Sequence, residues 1–481
     1  MQERYSKREW IAGLSSCVLH LVALLALAAW TVGVGLGISG NSISIESGDS
    51  TDSEMQAFEI ASAALDASEV NPSDSKASLA ASSTELQRIA DAVRESSSSI
   101  EQDQDLANDL LEQSAIAGGA GGETGISELS LTGRTSENRA RLAIENGGSP
   151  ESEQAVELAL EYLAEHQLND GSWSMMFDES CQGECTPSAS GRNPYRYAAT
   201  GLALLCFLGA GKTTEDEKFG ITVSKGVYFL QQTLRMESDK GYWVGTESSA
   251  QMYEHGIATL ALCEAYGMMR SGELKDTCQL AVEFIVYAQF RDGGWDYHPK
   301  SPGDLSIVGW QAMALKSAFS AKLTVPMDTI RGIDRFLDKN RAGEFMFKYR
   351  TSKPTQSMTA IGILMQIFRG RSRDARSIER GIEYLAKQGP SHTDVYYNYY
   401  ATQALFQTGG MFWKNWNYKM RDFLIRTQVP DGHLKGSWYF DGDPSNKAGG
   451  RLYTTCMACL ILEVYYRYLP VYREREEKFQ F

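Results

Sequence analysis

Gln167-Leu168-Asn169-Asp170-Gly171-Ser172-Trp173 decides how this chain is read, because the spelling returns as Gln289-Phe290-Arg291-Asp292-Gly293-Gly294-Trp295. A third copy opens as Gln428-Val429-Pro430-Asp431-Gly432 and closes on Gly436-Ser437-Trp438, and a looser one ends at Gly241-Tyr242-Trp243. Each follows a stretch with apolar residues at helical spacing. A Gln at that point can cap the helix end while the Trp stacks on it, and Gly permits the positive φ of a tight turn. Trp243 and Trp295 are 52 residues apart, and weaker aromatic turns at Phe347 and near Tyr396 keep the step. Six units of about 55 residues therefore fill residues 151–470.

Each unit holds two kinds of helix. The first kind falls near 152–167, 221–235, 276–290, 327–339, 376–388 and 414–428, with apolar and charged residues on opposite faces. The second kind is apolar almost all round: Tyr197–Gly209, Tyr253–Met268, Ser306–Phe319, Ser357–Phe368, Tyr396–Gln407 and Leu452–Tyr468. One-sided helices belong on a surface, and helices apolar on every side belong inside. Twelve helices in alternating outer and inner layers predict an all-α fold, a closed α6/α6 toroid. The inner helices would surround a central cavity, with their N-termini opening on one end.

The residues before 151 read differently. After a short basic tail (1–9), residues 10–38 carry no Asp, Glu, Lys or Arg. That run exceeds the roughly 20 residues needed to cross a bilayer. Arg4, Lys7 and Arg8 before it and an acidic flank after it predict a signal-anchor, with the N-terminus cytoplasmic and the rest outside. A cleaved signal peptide ending at Ala26-Leu27-Ala28 is the competing reading. Residues 39–150 form an acidic Ser/Ala-rich spacer. Positions 41–150 hold 20 Asp+Glu against 6 Lys+Arg, with Phe58 the only aromatic residue there, so most of the spacer is expected to be disordered. A broken heptad (Leu86, Ile89, Val93, Ile100, Leu106, Leu110) hints at partial helix. Residues 471–481 are a tail. The remaining charges nearly cancel, 37 basic against 39 acidic over 151–481, so there is no basic stripe and nucleic acid is excluded as a partner.

The Gln…Asp-Gly-x-Trp turn resembles the QW repeat of the squalene–hopene and oxidosqualene cyclase group, within the terpenoid cyclase and protein prenyltransferase superfamily. The resemblance covers roughly residues 150–470. It implies the toroid, but the family's chemistry is missing. No Asp-x-Asp-Asp is present to protonate an alkene, the nearest strings being Asp441-Gly442-Asp443-Pro444 in a loop and Asp103-Gln104-Asp105 in the spacer. Nor is there an Asp-x-Cys zinc pair or a thioester Cys-Gly-Glu-Gln. No cofactor is expected.

Polar and aromatic residues remain at the inner-helix starts. Tyr197, Tyr253, His255, Trp310, Tyr396, Tyr397, Asn398, Tyr399, Arg451 and Tyr453 form an expected ligand-binding set for an isoprenoid or hopanoid chain, with Asp394 and His255 as candidate acids. The competing reading has the tyrosines filling the ring and Asp394 and Asp304 capping helices. Six histidines without paired spacing give no metal site. Cys456-Met457-Ala458-Cys459 reads as buried small hydrophobes, and Cys181 and Cys185 as a local disulfide or two loop thiols. Three functions stay open: a membrane-tethered toroid that binds an apolar ligand or a protein partner, a divergent terpene cyclase using another acid such as Asp394, and a carbohydrate-active toroid. The last would need two of Glu254, Asp304 and Asp394 to converge.

Overall fold

The computed structural model describes residues 134–176, 180–181, 190–243, 251–350 and 353–467. The predicted membrane segment, most of the spacer, Cys185 and the tail lie outside them. Among the described residues, no helix is long and apolar enough to cross a membrane.

The outer helices are α2 (Pro150–Glu165), α4 (Gly220–Thr233), α6 (Gly272–Ala288), α8 (Met327–Asn340), α10 (Arg376–Gln388) and α12 (Gly410–Thr427). The inner ones are α3 (Arg196–Gly209), α5 (Gln251–Met269), α7 (Leu305–Ser320), α9 (Gln356–Phe368), α11 (Val395–Thr408) and α13 (Asn446–Leu462). One stripe of α10 is buried, Ile378, Gly381, Ile382 and Leu385, as expected for a helix with water on its other side. Every residue of α11 is buried. Each inner helix packs on the one before and the one after it, and α13 packs back on α3, so the ring closes. The outer layer closes as well, α12 lying against α2. Small residues let the inner helices approach: a Cβ at Gly201 of α3 would stand 2.9 Å from the Ile257 backbone of α5.

The repeated turn staples the outer layer. Gln167 donates its side-chain amide to Gly171 O and to Thr222 O of α4, both at 2.9 Å. Gln289 does the same to Gly293 O and Thr329 O of α8. Gln428 reaches Gly436 O and Ala155 O of α2, joining the last repeat to the first. The indole N–H of each Trp caps a carbonyl in the last turn of its outer helix: Trp173 on Leu163, Trp295 on Ile285, Trp438 on Leu424. In the third copy the turn glycine is Gly436 and not Gly432. Gly436 (φ +86°) would set a Cβ 2.1 Å from Leu158 O, as Gly293 (φ +91°) would against Gly332 O at 1.9 Å, whereas nothing crowds Gly432. The cause is an insertion of four residues between Gln428 and the turn. In the second and fourth repeats a hairpin replaces the Gln turn: β1 (Arg235–Glu237) with β2 (Lys240–Tyr242), and β3 (Arg341–Ala342) with β4 (Met346–Phe347).

Two features depart from the expected layout. Helix α1 (Ser136–Glu145) lies within the residues read as spacer and belongs to the folded body. It has little apolar surface to betray it, and it docks through charge: Arg139 donates to Glu153 at 2.7 Å and to Ala210 O at 3.3 Å. The last inner helix also breaks at Glu463, after which α14 (Val464–Arg467) turns inward. There, at the C-terminal end of the inner helices, Glu264 of α5 accepts from Arg134 at 2.8 Å and from Arg467 at 3.0 Å, all three fully buried. Arg134 also donates to Leu208 O and Arg467 O. This buried charge cluster seals that end.

Candidate functional site

The other end is where the inner helices begin, and their exposed N–H groups and dipoles draw acidic side chains there. Glu254 of α5 accepts the Tyr197 N–H of α3 at 3.2 Å. Asp304 caps α7, accepting from Ser306 N at 2.8 Å and Ser306 Oγ at 2.6 Å, and Thr355 caps α9. Helix α11 receives two acids. Asp394 caps it through Tyr397 N at 2.8 Å, and Asp443, from the loop before α13, accepts Val395 N at 2.9 Å.

These acids differ in what balances them. Arg350 bonds both Asp304 (3.3 Å) and Asp296 (2.5 Å). Asp394 and Asp443 have no ion-pair partner among the described residues. Asp394 accepts Ser357 Oγ (3.0 Å) besides its cap, and Asp443 accepts Ser445 N (2.8 Å) besides Val395 N, all from uncharged donors. Asp443 is 5% exposed, and burial together with the nearby Asp394 charge pushes its pKa up to about 7. Burial likewise raises Asp394, against the hydrogen bonds from Tyr397 and Ser357. Burial first and the Asp394 charge second thus favour the protonated form of Asp443.

This shift has a measurable consequence. The folded pKa of Asp443, about 7, lies above its unfolded value of ~3.9, so its contribution to stability is full below ~4 and lost as pH rises through 7. Relative to the parent, Asp443→Asn should gain about 1.4 kcal/mol per pH unit between pH ~4 and ~7. Denaturant titrations of both proteins at several pH values check it; a difference that stays flat above pH 5 would contradict a raised pKa.

The aromatic set divides. Trp310 stacks on Tyr399 (ring centroids 5.7 Å, 15°), Tyr399 meets Tyr400 edge-on (5.1 Å), and Tyr400 meets Tyr396 (5.1 Å). Tyr253 meets Tyr297 edge-on at 5.5 Å, and Tyr453 lies close to Tyr253 and Tyr396. These rings pack on one another among α5, α7, α11 and α13. The other expected binding residues sit elsewhere. Tyr197 stacks on Phe229 of α4, and Tyr397 turns out to Trp416 of α12. Asn398 holds the preceding loop through Ser391, and Arg451 lies over Tyr439 and donates to Ser437 Oγ at 3.2 Å.

His255 has a structural place. Trp173, Phe347 and Trp438 each donate their backbone N–H to a threonine on the inner helix: Thr200, Thr359 and Thr455. Trp243 N meets His255 Nδ1 at 3.4 Å in the same position, and His255 Nε2 lies 3.0 Å from Ala281 O. Complete burial pushes its pKa down to about 3, so it is a neutral imidazole inside the wall and not an acid. Asp443 is the residue that sequence reasoning passed over. It stands in a loop, and its one signal was the Asp-Gly-Asp-Pro string beside an inner helix.

No protein-family model and no curated protein matches the chain. Among solved structures it is similar to an alpha-amylase from Clostridium perfringens, at 12% identity and TM-score 0.44 over 65% of this chain and 97% of that one. It is also similar to an alpha-1,6-mannanase of Salegentibacter sp. HEL1_6 in complex with alpha-1,6-mannotriose (9%, TM-score 0.45, 66% and 99%). A third is the type II terpene cyclase MstE from Scytonema (13%, TM-score 0.41, 66% and 98%). With every TM-score below 0.5, no chemistry carries across, and none of these ties the chain to the squalene–hopene cyclases. The closed two-layer ring is defined by this chain's own helix contacts.

Proposed function

We propose that the end of the ring where the inner helices begin binds an uncharged, isoprenoid-type ligand against its tyrosine faces and protonates it from the Asp394–Asp443 pair. The observation that carries this reading is the second acid at α11. One cap suffices for a helix start, and α7 and α9 have one each, yet α11 holds two carboxyls without a counter-charge. A carboxyl that keeps its proton at neutral pH is a usable general acid. Tyrosine and tryptophan faces favour an apolar chain and stabilise positive charge that develops on it. In the same proposal, residues 10–38 tether the body to a membrane with the ring outside the cytoplasm.

The test is to incubate the full chain, purified in detergent, with squalene and shorter polyprenes and follow binding and products separately. Cyclic product from the parent is expected, with Asp394→Asn and Asp443→Asn slower by roughly 10²–10⁴-fold while ligand affinity stays within a few-fold. Binding without any product would reduce the protein to a ligand carrier. Hydrolysis of an oligosaccharide that needs both acids would replace the isoprenoid by a sugar.

A further inference from the structure

The insertion that distinguishes the third turn carries His433, and it lays that ring against His166, the residue just after α2 (centroids 5.0 Å apart, 53° between planes). Cys181, from the connection between α2 and α3, joins them. One ligand atom from each of His166, Cys181 and His433 lies within 4.8 Å of the others. His166 Nδ1 is engaged with Tyr162 O at 2.8 Å, and its ring packs on Tyr162 with centroids 4.0 Å apart. That contact favours the tautomer with its proton on Nδ1, the arrangement by which a backbone carbonyl orients a metal-bound imidazole.

We propose that His166, Cys181 and His433 form a binding site for a divalent transition metal, zinc by its donor set. Two imidazoles and a thiolate match zinc's preference for nitrogen and sulfur, at ~2.0–2.1 Å and ~2.3 Å, and suit magnesium or calcium poorly. Tetrahedral zinc needs the three atoms to close by about 1 Å. Among the described residues the site has three protein ligands, which leaves a fourth position for water, a ligand or a further side chain. The site shares no residue with the acid pair and does not depend on the isoprenoid reading. It joins the end of the first outer helix to the turn of the last repeat, so metal would clamp the seam where the ring closes. Sequence spacing hides it: the two histidines are separated by almost the whole toroid, and neither belongs to a metal motif.

The experiment strips the full-length protein with a chelator under reducing conditions and titrates it with Zn²⁺ alone and Co²⁺ alone. One metal per chain retained after desalting is expected, along with a thiolate-to-cobalt charge-transfer band and a melting temperature that rises with added zinc. Cys181→Ser should abolish the band, and Cys181→Ser and His433→Gln should each weaken affinity by ~100-fold or more, while His392→Gln, an exposed histidine elsewhere, should not. The proposal is overturned if the parent holds no more zinc than a Cys181→Ser/His433→Gln double variant. Should a variant fail to fold, the parent's cobalt spectrum decides, since a spectrum without the thiolate band excludes Cys181 as a ligand.

Discussion

Glu264→Ala should destabilise the folded body by about 3–5 kcal/mol, the usual cost of leaving buried charge uncompensated. Glu264 lies between Arg134 and Arg467, and neither guanidinium has access to water. Burial alone would raise the Glu264 pKa, but the Arg467 and Arg134 charges bring it below the usual carboxylate value, so it remains an anion. Removing it takes away the carboxylate that both guanidinium groups share in a dry interior; Glu463 is another acid that feels both charges. Burial raises Glu463 to about 8, so it is mostly protonated at pH 7 and a weak substitute. Melting curves should fall by on the order of 10 °C. Arg134 lies just before α1 and Arg467 in α14, so the variant should also loosen both segments, seen as faster amide exchange in α1. A melting temperature within 2 °C of the parent would show that the cluster contributes little.

Trp295→Ala should cost about as much, ~3–5 kcal/mol, for a different reason. The indole is fully buried and its N–H donates to Ile285 O at 2.8 Å, so truncation leaves both a cavity and an orphaned carbonyl at the end of α6. Trp295→Phe keeps most of the volume and loses the hydrogen bond, and should cost nearer ~1–2 kcal/mol. Chemical denaturation of the two variants separates packing from capping. Equal losses would mean that the hydrogen bond, not the ring, holds the turn.

These two variants probe features of opposite legibility. Trp295 was visible in the chain because the turn repeats, and eleven of the twelve ring helices start and stop within four residues of their expected ends, the last inner helix beginning and ending six residues earlier than expected. The caps at Asp304 and Asp394 were visible too, since a cap lies two or three residues from the amides it serves. Glu264 gave no such sign: it sits in an inner helix among alanines and leucines, and its partners are 130 and 203 residues away. Helix α1 was hidden because it docks through Arg139, on Glu153 and Ala210 O, polar contacts that leave no apolar stripe to read. His255 misled because an imidazole at a helix start reads as chemistry, while its sister positions, Thr200, Thr359 and Thr455, show the backbone amide that it serves.

Helix periodicity and turn chemistry are local, written within ten to twenty residues, and so the chain alone determined an all-α ring of six helical hairpins. Whatever depends on a side chain meeting another repeat was settled only by closure of that ring. Folding set Asp443 beside Asp394, brought His433 to His166 and Cys181, and turned Tyr397 outward while Tyr400 points in. A buried carboxylate's charge depends on which groups share its low-dielectric surroundings, and those neighbours come from distant segments with no mark in the local pattern.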